Sequence, residues 1–193
     1  MDKFINNIFS ITHFSDIIRM ALLSKYGGYW FDSTYLVTSP LTKVNTSFFT
    51  LKLNYCWTNN HPFINCLWSV NFMAISKNSF IATFGYKALL NYWKKYNSLI
   101  DYFLIDYIIY LAYNKEEKFR KIIDELPFTA CNIFSLVNLL NFNYDKTDLD
   151  CPFNKLTKNG NWIISNGIDN TNYGYIIKKY KFKFKNENKS FFK

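Results

Sequence analysis

The stretch SDIIRMALLSKYGGYWFD, from Ser15 to Asp32, constrains this chain more than any other. Asp16 and Arg19 stand three apart, and on a helix such positions share a face. The spacing predicts a helix over about Thr12 to Tyr26, rising roughly 15 Å between Asp16 and Tyr26. Gly27-Gly28 supplies a left-handed cap that stops it. An extended run from Gly28 to Asp32 then covers roughly 13 Å. A return antiparallel to the helix brings Asp32 level with Asp16 and Arg19, so that two carboxylates and a guanidinium face one small volume.

Such a cluster suits a polyhydroxylated, phosphorylated ligand. Carboxylates accept sugar hydroxyl protons, an arginine fork binds oxygens, and an acid can hold a divalent cation. A plainer account also fits the spacing: Asp16 favours the helix N-terminus with Ser15 or Thr12 as N-cap, Arg19 is its surface ion-pair partner, and the glycines are an ordinary C-cap.

The residues also resemble a known pattern. DXD-type glycosyltransferases read S-D-x-x-R, a leucine-rich helix, then G-G-x-W/Y-x-D-x-D/T. With Trp30 before Phe31-Asp32-Ser33-Thr34 and then Ser39-Pro40-Leu41, the chain is most similar to the capsular polysaccharide synthesis proteins. The likeness runs more weakly through Tyr92-Trp93 and Asp101 to Tyr107. It ends at Asn154-Lys155-Leu156-Thr157-Lys158, where the family reads H-K-L-S/T-x-K.

The resemblance implies a GT-A-like α/β glycosyltransferase domain over residues 1–177. It would move a sugar from a nucleotide-sugar donor to a growing surface or capsular polysaccharide. Asp16 and Arg19 would contact the donor sugar, and Asp32 the donor and its metal. Asp106 would approach from the opposite wall, giving Asp32 and Asp106 as the catalytic pair. Lys155 and Lys158 would neutralise the leaving diphosphate. Mn2+ or Mg2+ is the implied cofactor, with Asp32 and Asn154 as metal ligands.

Three departures qualify this. Thr34 replaces a second Asp, and a neutral hydroxyl is a weaker ligand for a hard cation, so the cation would be weakly held or carried on the diphosphate. Asn154 stands where a histidine is usual, though its amide oxygen can still coordinate. Fourteen residues precede Ser15, too few for the first strand-helix-strand unit with which such enzymes begin. The chain then lacks that unit or receives it from elsewhere. A non-catalytic sugar-nucleotide or glycan-binding remnant, or a partner subunit, is the alternative.

Other features narrow the field. No P-loop, G-x-G-x-x-G or nucleophile elbow occurs. Four cysteines at 56, 66, 131 and 151 form no C-x-x-C pair and suggest neither a metal site nor a disulfide framework, which fits a reducing cytoplasm. His13 and His61 are too isolated for zinc. No membrane span or signal peptide is expected.

Charge is concentrated at one end. Residues 178–193 hold seven lysines against Glu187, from a net charge of +9. Lys179 to Lys185 alternates lysines with rings, as a lysine-protected edge strand or an anchor for an anionic membrane would. An anchor would set the enzyme at the inner face of the cell membrane beside lipid-linked acceptors. Nucleic acid is the lesser alternative.

Further elements expected are strands at Phe48 to Leu53, Leu67 to Ile75, Trp162 to Ile164 and Tyr175 to Phe184. Helices are expected at Phe80 to Tyr96, Ile100 to Tyr113, Lys115 to Glu125 and Asn132 to Leu140. A loop at Asp145 to Pro152 follows the last of these. Asp101 is read as the cap of its helix and Asp106 as a lysine partner, beside the catalytic reading of Asp106.

Overall fold

Apolar positions at Ile17, Met20 and Leu23 give the first helix a buried stripe, and the chain builds outward from it. The structure, a computed structural model, describes residues 10–41, 47–53, 66–157 and 170–180. It is a mixed α/β protein that divides into two compact units. Among the described residues, the first unit comprises 10–33, 41, 47–53 and 66–132, and the second 34–40, 133–157 and 170–180.

In the first unit, α1 (Ile11–Tyr26) leads through Gly27 into β1 (Gly28–Phe31). Then come β3 (Phe48–Thr50) and β4 (Phe72–Ile75), with β2 (Tyr35–Val37) belonging to the second unit. The strands form an antiparallel sheet in the order β1-β4-β3, with Trp30 opposite Met73 and Thr50 opposite Met73 on the other side. Every residue of the central strand β4 is buried, as expected of a strand paired on both edges. Helices α2 (Phe80–Lys95), α3 (Leu104–Lys115) and α4 (Glu117–Glu125) complete the unit. Its core joins Met20, Phe48, Met73, Ile81, Trp93, Ile109 and Ile123.

Gly27 makes the chain reversal possible. Its φ is +68°, and a Cβ there would lie 2.5 Å from the backbone nitrogen of Lys77. Only glycine accepts both the left-handed backbone and that approach.

The second unit pairs β2 (Tyr35–Val37) antiparallel with β5 (Phe153–Lys155), placing Leu36 opposite Asn154. Helices α5 (Ser135–Leu139) and α6 (Asn172–Tyr180) contribute Leu136 and Ile176 to a small core with Leu36 and Leu140.

Several expectations change. The strand expected at Leu67 to Ile75 is confined to Phe72–Ile75, because Thr50 Oγ1 takes up Ser69 in a turn: it accepts from the Ser69 N–H at 2.8 Å and donates to the Ser69 carbonyl at 3.1 Å. Within Tyr175 to Phe184, residues 175–180 are helical, since Tyr173, Ile176 and Ile177 recur at helical spacing and Ile176 is buried in the small core. Lys146–Leu149 forms a 3-10 turn within the expected loop. The strand expected at Trp162 to Ile164 and tail residues 181–193 lie outside the described residues.

The reading of reduced thiols is overturned: Cys66, Cys131 and Cys151 are each disulfide-bonded, and none of the described cysteines is free. Pairing depends on Cα separation in the fold, which sequence spacing does not report. The ground for a reducing compartment goes with it. No described helix is long and apolar enough to cross a membrane.

Candidate functional site

Helix α1 presents Asp16 and Arg19 on the face that it turns to the core. Both are buried, at 5% and 4% exposure, so the surface ion pair of the plainer account is excluded. Ser10, not Ser15 or Thr12, precedes the helix, and the Ser15 hydroxyl donates back to the Thr12 carbonyl.

Strand β1 returns along α1 as its length requires. The Asp32 N–H donates to the Asn71 carbonyl at 3.0 Å, extending the β1-β4 pairing one residue past Phe31. Asp32 thereby reaches Arg19. Arg19 Nη2 lies 3.3 Å from Asp16 Oδ1 and 3.3 Å from Asp32 Oδ1. Arg19 Nη1 donates to the Val70 carbonyl at 2.6 Å, and its guanidinium sits 5.2 Å from the Trp30 ring centroid. Trp30 Nε1 donates to Asp32 Oδ1 at 3.3 Å. Both terminal nitrogens of Arg19 thus bind protein oxygens, while its buried Nε has no hydrogen-bond partner, and the guanidinium links two carboxylates from different elements. Asp32 remains open, its side chain 31% exposed.

Asp106 arrives from the first turn of α3 and is 5% exposed. Trp68 Nε1 donates to Asp106 Oδ1 at 3.1 Å, so its partner is an indole and not a lysine. Burial is the main reason that the Asp106 carboxyl is pushed up to about 7; the Trp68 hydrogen bond opposes this, and the charges of Asp16 and Arg19 act on it in opposite directions. Burial likewise pushes Asp16 up to about 6, against the pull of Arg19. The Asp16 charge thus acts on Asp106 within one unit, and both carboxyls are pushed up toward neutrality, to about 6 and about 7. Asp101 is separate: its carboxylate accepts the Phe103 N–H at 2.8 Å, at the entry to α3.

His13 lies one turn before Asp16, buried, with its ring edge on Tyr102 at 5.7 Å and its Nδ1 2.8 Å from Ser10 Oγ. Burial lowers its pKa, which favours the neutral imidazole.

The remaining candidates belong to the second unit. Lys155 Nζ donates to Thr34 Oγ1 at 2.6 Å and lies over the Tyr35 ring at 5.4 Å. Asn154 is fully buried; its Nδ2 donates to the Cys151 carbonyl at 2.7 Å, while its Oδ1 has no hydrogen-bond partner. Lys158 lies outside the described residues. Among the described residues, no three His, Cys, Asp or Glu side chains gather as a metal site would require.

Sequence reasoning missed Trp68, Val70, Asn71 and Thr50. All act through the turn before β4, and no local periodicity marks a residue whose partner is 38 or 51 positions away, as with Trp68–Asp106 and Val70–Arg19. The Trp residue count was the one available signal: Trp68 is an isolated indole in a stretch expected to be extended.

No curated protein and no solved structure matches the chain significantly. Residues 1–159, by contrast, match the capsular polysaccharide synthesis protein family. That span includes the S-D-x-x-R helix, the paired glycines and Asp32, and the chain belongs to the capsular polysaccharide synthesis protein family.

Proposed function

We propose that the chain is a GT-A-like glycosyltransferase that moves a sugar from a nucleotide-diphosphate donor to a hydroxyl of a growing surface or capsular polysaccharide. One observation carries this reading: Arg19 ties Asp16 and Asp32 together, each at 3.3 Å, and leaves Asp32 accessible beside them. A half-buried carboxylate held by an arginine and an indole, with part of its surface open, is preorganised to accept donor hydroxyls. Arg19 serves as the positioning residue, since its terminal nitrogens bind protein oxygens.

Asp106, titrating near 7, is the second carboxyl of the proposed reaction and suits proton transfer at neutral pH. A bound Mn2+ or Mg2+ would stabilise charge on the departing diphosphate. Such ions are often held by one or two carboxylates plus substrate phosphates; Asp32 fits that mode, with the cation carried mainly by the donor. By resemblance alone, Thr34 and Asn154 are assigned to the donor and its cation, and Lys155 and Lys158 to the diphosphate. The described cysteines, Cys66, Cys131 and Cys151, are disulfide-bonded and favour an oxidising compartment.

A second reading, a sugar-nucleotide or glycan binder without transfer, is favoured by Thr34. Its Oγ1 already accepts from Lys155, where the stricter motif has a carboxylate.

The test is titration of the purified chain with UDP-, GDP- and CMP-sugars, with and without manganese, followed by Asp32→Ala. Donor turnover that is lost in the variant supports transfer. Binding without turnover supports the second reading, and turnover unchanged in Asp32→Ala removes the site assignment.

A further inference from the structure

The segment Trp68–Phe72 reaches Arg19, Asp32 and Asp106 at once. The Phe72 N–H donates to the Ser69 carbonyl at 3.0 Å, which closes a β-turn over Val70 and Asn71. The carbonyls of those two central residues are left to bond elsewhere. That of Val70 accepts from Arg19 Nη1 at 2.6 Å, and that of Asn71 accepts from the Asp32 N–H at 3.0 Å. Just before the turn, Trp68 Nε1 donates to Asp106 Oδ1 at 3.1 Å. Arg19 in turn carries Asp16 at 3.3 Å. Side chains of α1 and α3 and the residue that ends β1 thus take their places from one turn.

A single buried hydroxyl holds that turn. Thr50 Oγ1, on β3, accepts from the Ser69 N–H at 2.8 Å. It also lies 3.1 Å from the Ser69 carbonyl and 3.2 Å from the Phe72 carbonyl, both acceptors for its one proton. Thr50 is 1% exposed. A hydroxyl in such a place costs free energy unless it is bonded, and a valine would suit a buried strand as well. The strand itself therefore does not call for a threonine. The bonds of the hydroxyl go to the turn, so it acts on the ionic groups at one remove.

We propose that Thr50 is a positioning residue of the candidate site, whose hydroxyl fixes the Ser69–Phe72 turn and through it the joint placement of Arg19, Asp32 and Asp106. Its effect on sugar transfer rests on the function proposed above, whereas the geometric role does not.

Thr50→Val keeps the shape and removes the hydroxyl; Thr50→Ser keeps the hydroxyl and loses the methyl. Proton NMR of the full chain reads the Trp68 indole N–H, which its carboxylate acceptor shifts downfield. In Thr50→Val this resonance moves upfield. In the same variant, kcat/KM for whichever UDP-, GDP- or CMP-sugar the wild type turns over falls about tenfold or more, since a misplacement of about 1 Å can cost about a hundredfold. Thr50→Ser stays within about threefold of the wild type, with its indole resonance in place. Ile81→Val leaves a void on the α2 side of the same core; it lowers the thermal melt and moves neither reading. An indole resonance unmoved by Thr50→Val, unchanged kcat/KM in that variant, or a Thr50→Ser that matches it overturns the proposal. So does an indole shift of the same size in Ile81→Val, the mark of general loosening. Absence of donor turnover in the wild type removes the function proposed above and leaves the indole resonance to decide on Thr50. Where Thr50→Val does not fold, native-state hydrogen exchange of the wild type decides. The Ser69 N–H, the Asp32 N–H and the Trp68 indole N–H share one turn, so their protection factors agree within about threefold, and a wider spread overturns the proposal.

Discussion

The indole Nε1 of Trp68 donates to a carboxylate oxygen of Asp106 across 3.1 Å, and both side chains are almost wholly buried. A donor aimed at a carboxylate stabilises its charged form. Replacing Trp68 with Phe keeps an aromatic body and removes the donor, so the Asp106 pKa should rise above its value of about 7. A hydrogen bond to a charged group corresponds to a change of about one to two pH units. Carboxyl-carbon NMR titration of both proteins measures it, and coincident curves would show that Trp68 does not act on Asp106.

Stability should depend on pH through the same acids. Asp16 and Asp106 titrate near 6 and 7 when folded, well above their ordinary value of 3.8. Between about pH 4 and 7 the folded state therefore binds more protons than the unfolded chain, and the contribution of these groups falls as pH rises. Below about pH 4 both states are protonated and that contribution is intact. Urea midpoints should drop from about pH 5 to about pH 8, with a loss on the order of 1–3 kcal/mol from these groups. Asp106→Asn should flatten the slope. A wild-type slope of the opposite sign in that variant's difference curve would exclude the mechanism.

Arg19 neutralises a buried carboxylate, and its removal should cost more than a surface pair would. Arg19→Ala leaves Asp16 without its cation and should destabilise by about 3–5 kcal/mol. Arg19→Lys retains the charge without the fork that spans Asp16, Asp32 and Val70, and should fall between the two. Chemical denaturation checks the order; a loss below about 1 kcal/mol in Arg19→Ala would be the behaviour of an exposed pair.

The paired glycines should differ in tolerance. A Cβ at Gly27 meets the Lys77 backbone at 2.5 Å, whereas one at Gly28, with φ +98°, meets nothing within 4 Å. Gly28→Ala should cost about 1–2 kcal/mol for its backbone conformation alone. Gly27→Ala adds the displacement of Lys77 and should cost visibly more in thermal denaturation. It should also weaken any donor binding that depends on Asp32, because the reversal at Gly27 sets where β1 begins.

What the sequence determined by itself is local. Helical spacing put Asp16 and Arg19 on one face, paired glycines ended the helix within a residue of the expected point, and the length of the return strand brought Asp32 to the same level. Those follow from residue geometry, which the order of residues encodes directly. Tertiary structure decided the rest: that the Asp16–Arg19 pair is buried, that Trp68 holds Asp106, that Thr50 and the turn before β4 set the frame for Arg19 and Asp32, that residues 175–180 coil into a helix, and that the described cysteines are disulfide-bonded. Burial and partners far apart in sequence arise from packing, in which one short segment answers to several others at once, and no periodicity within the segment records that outcome.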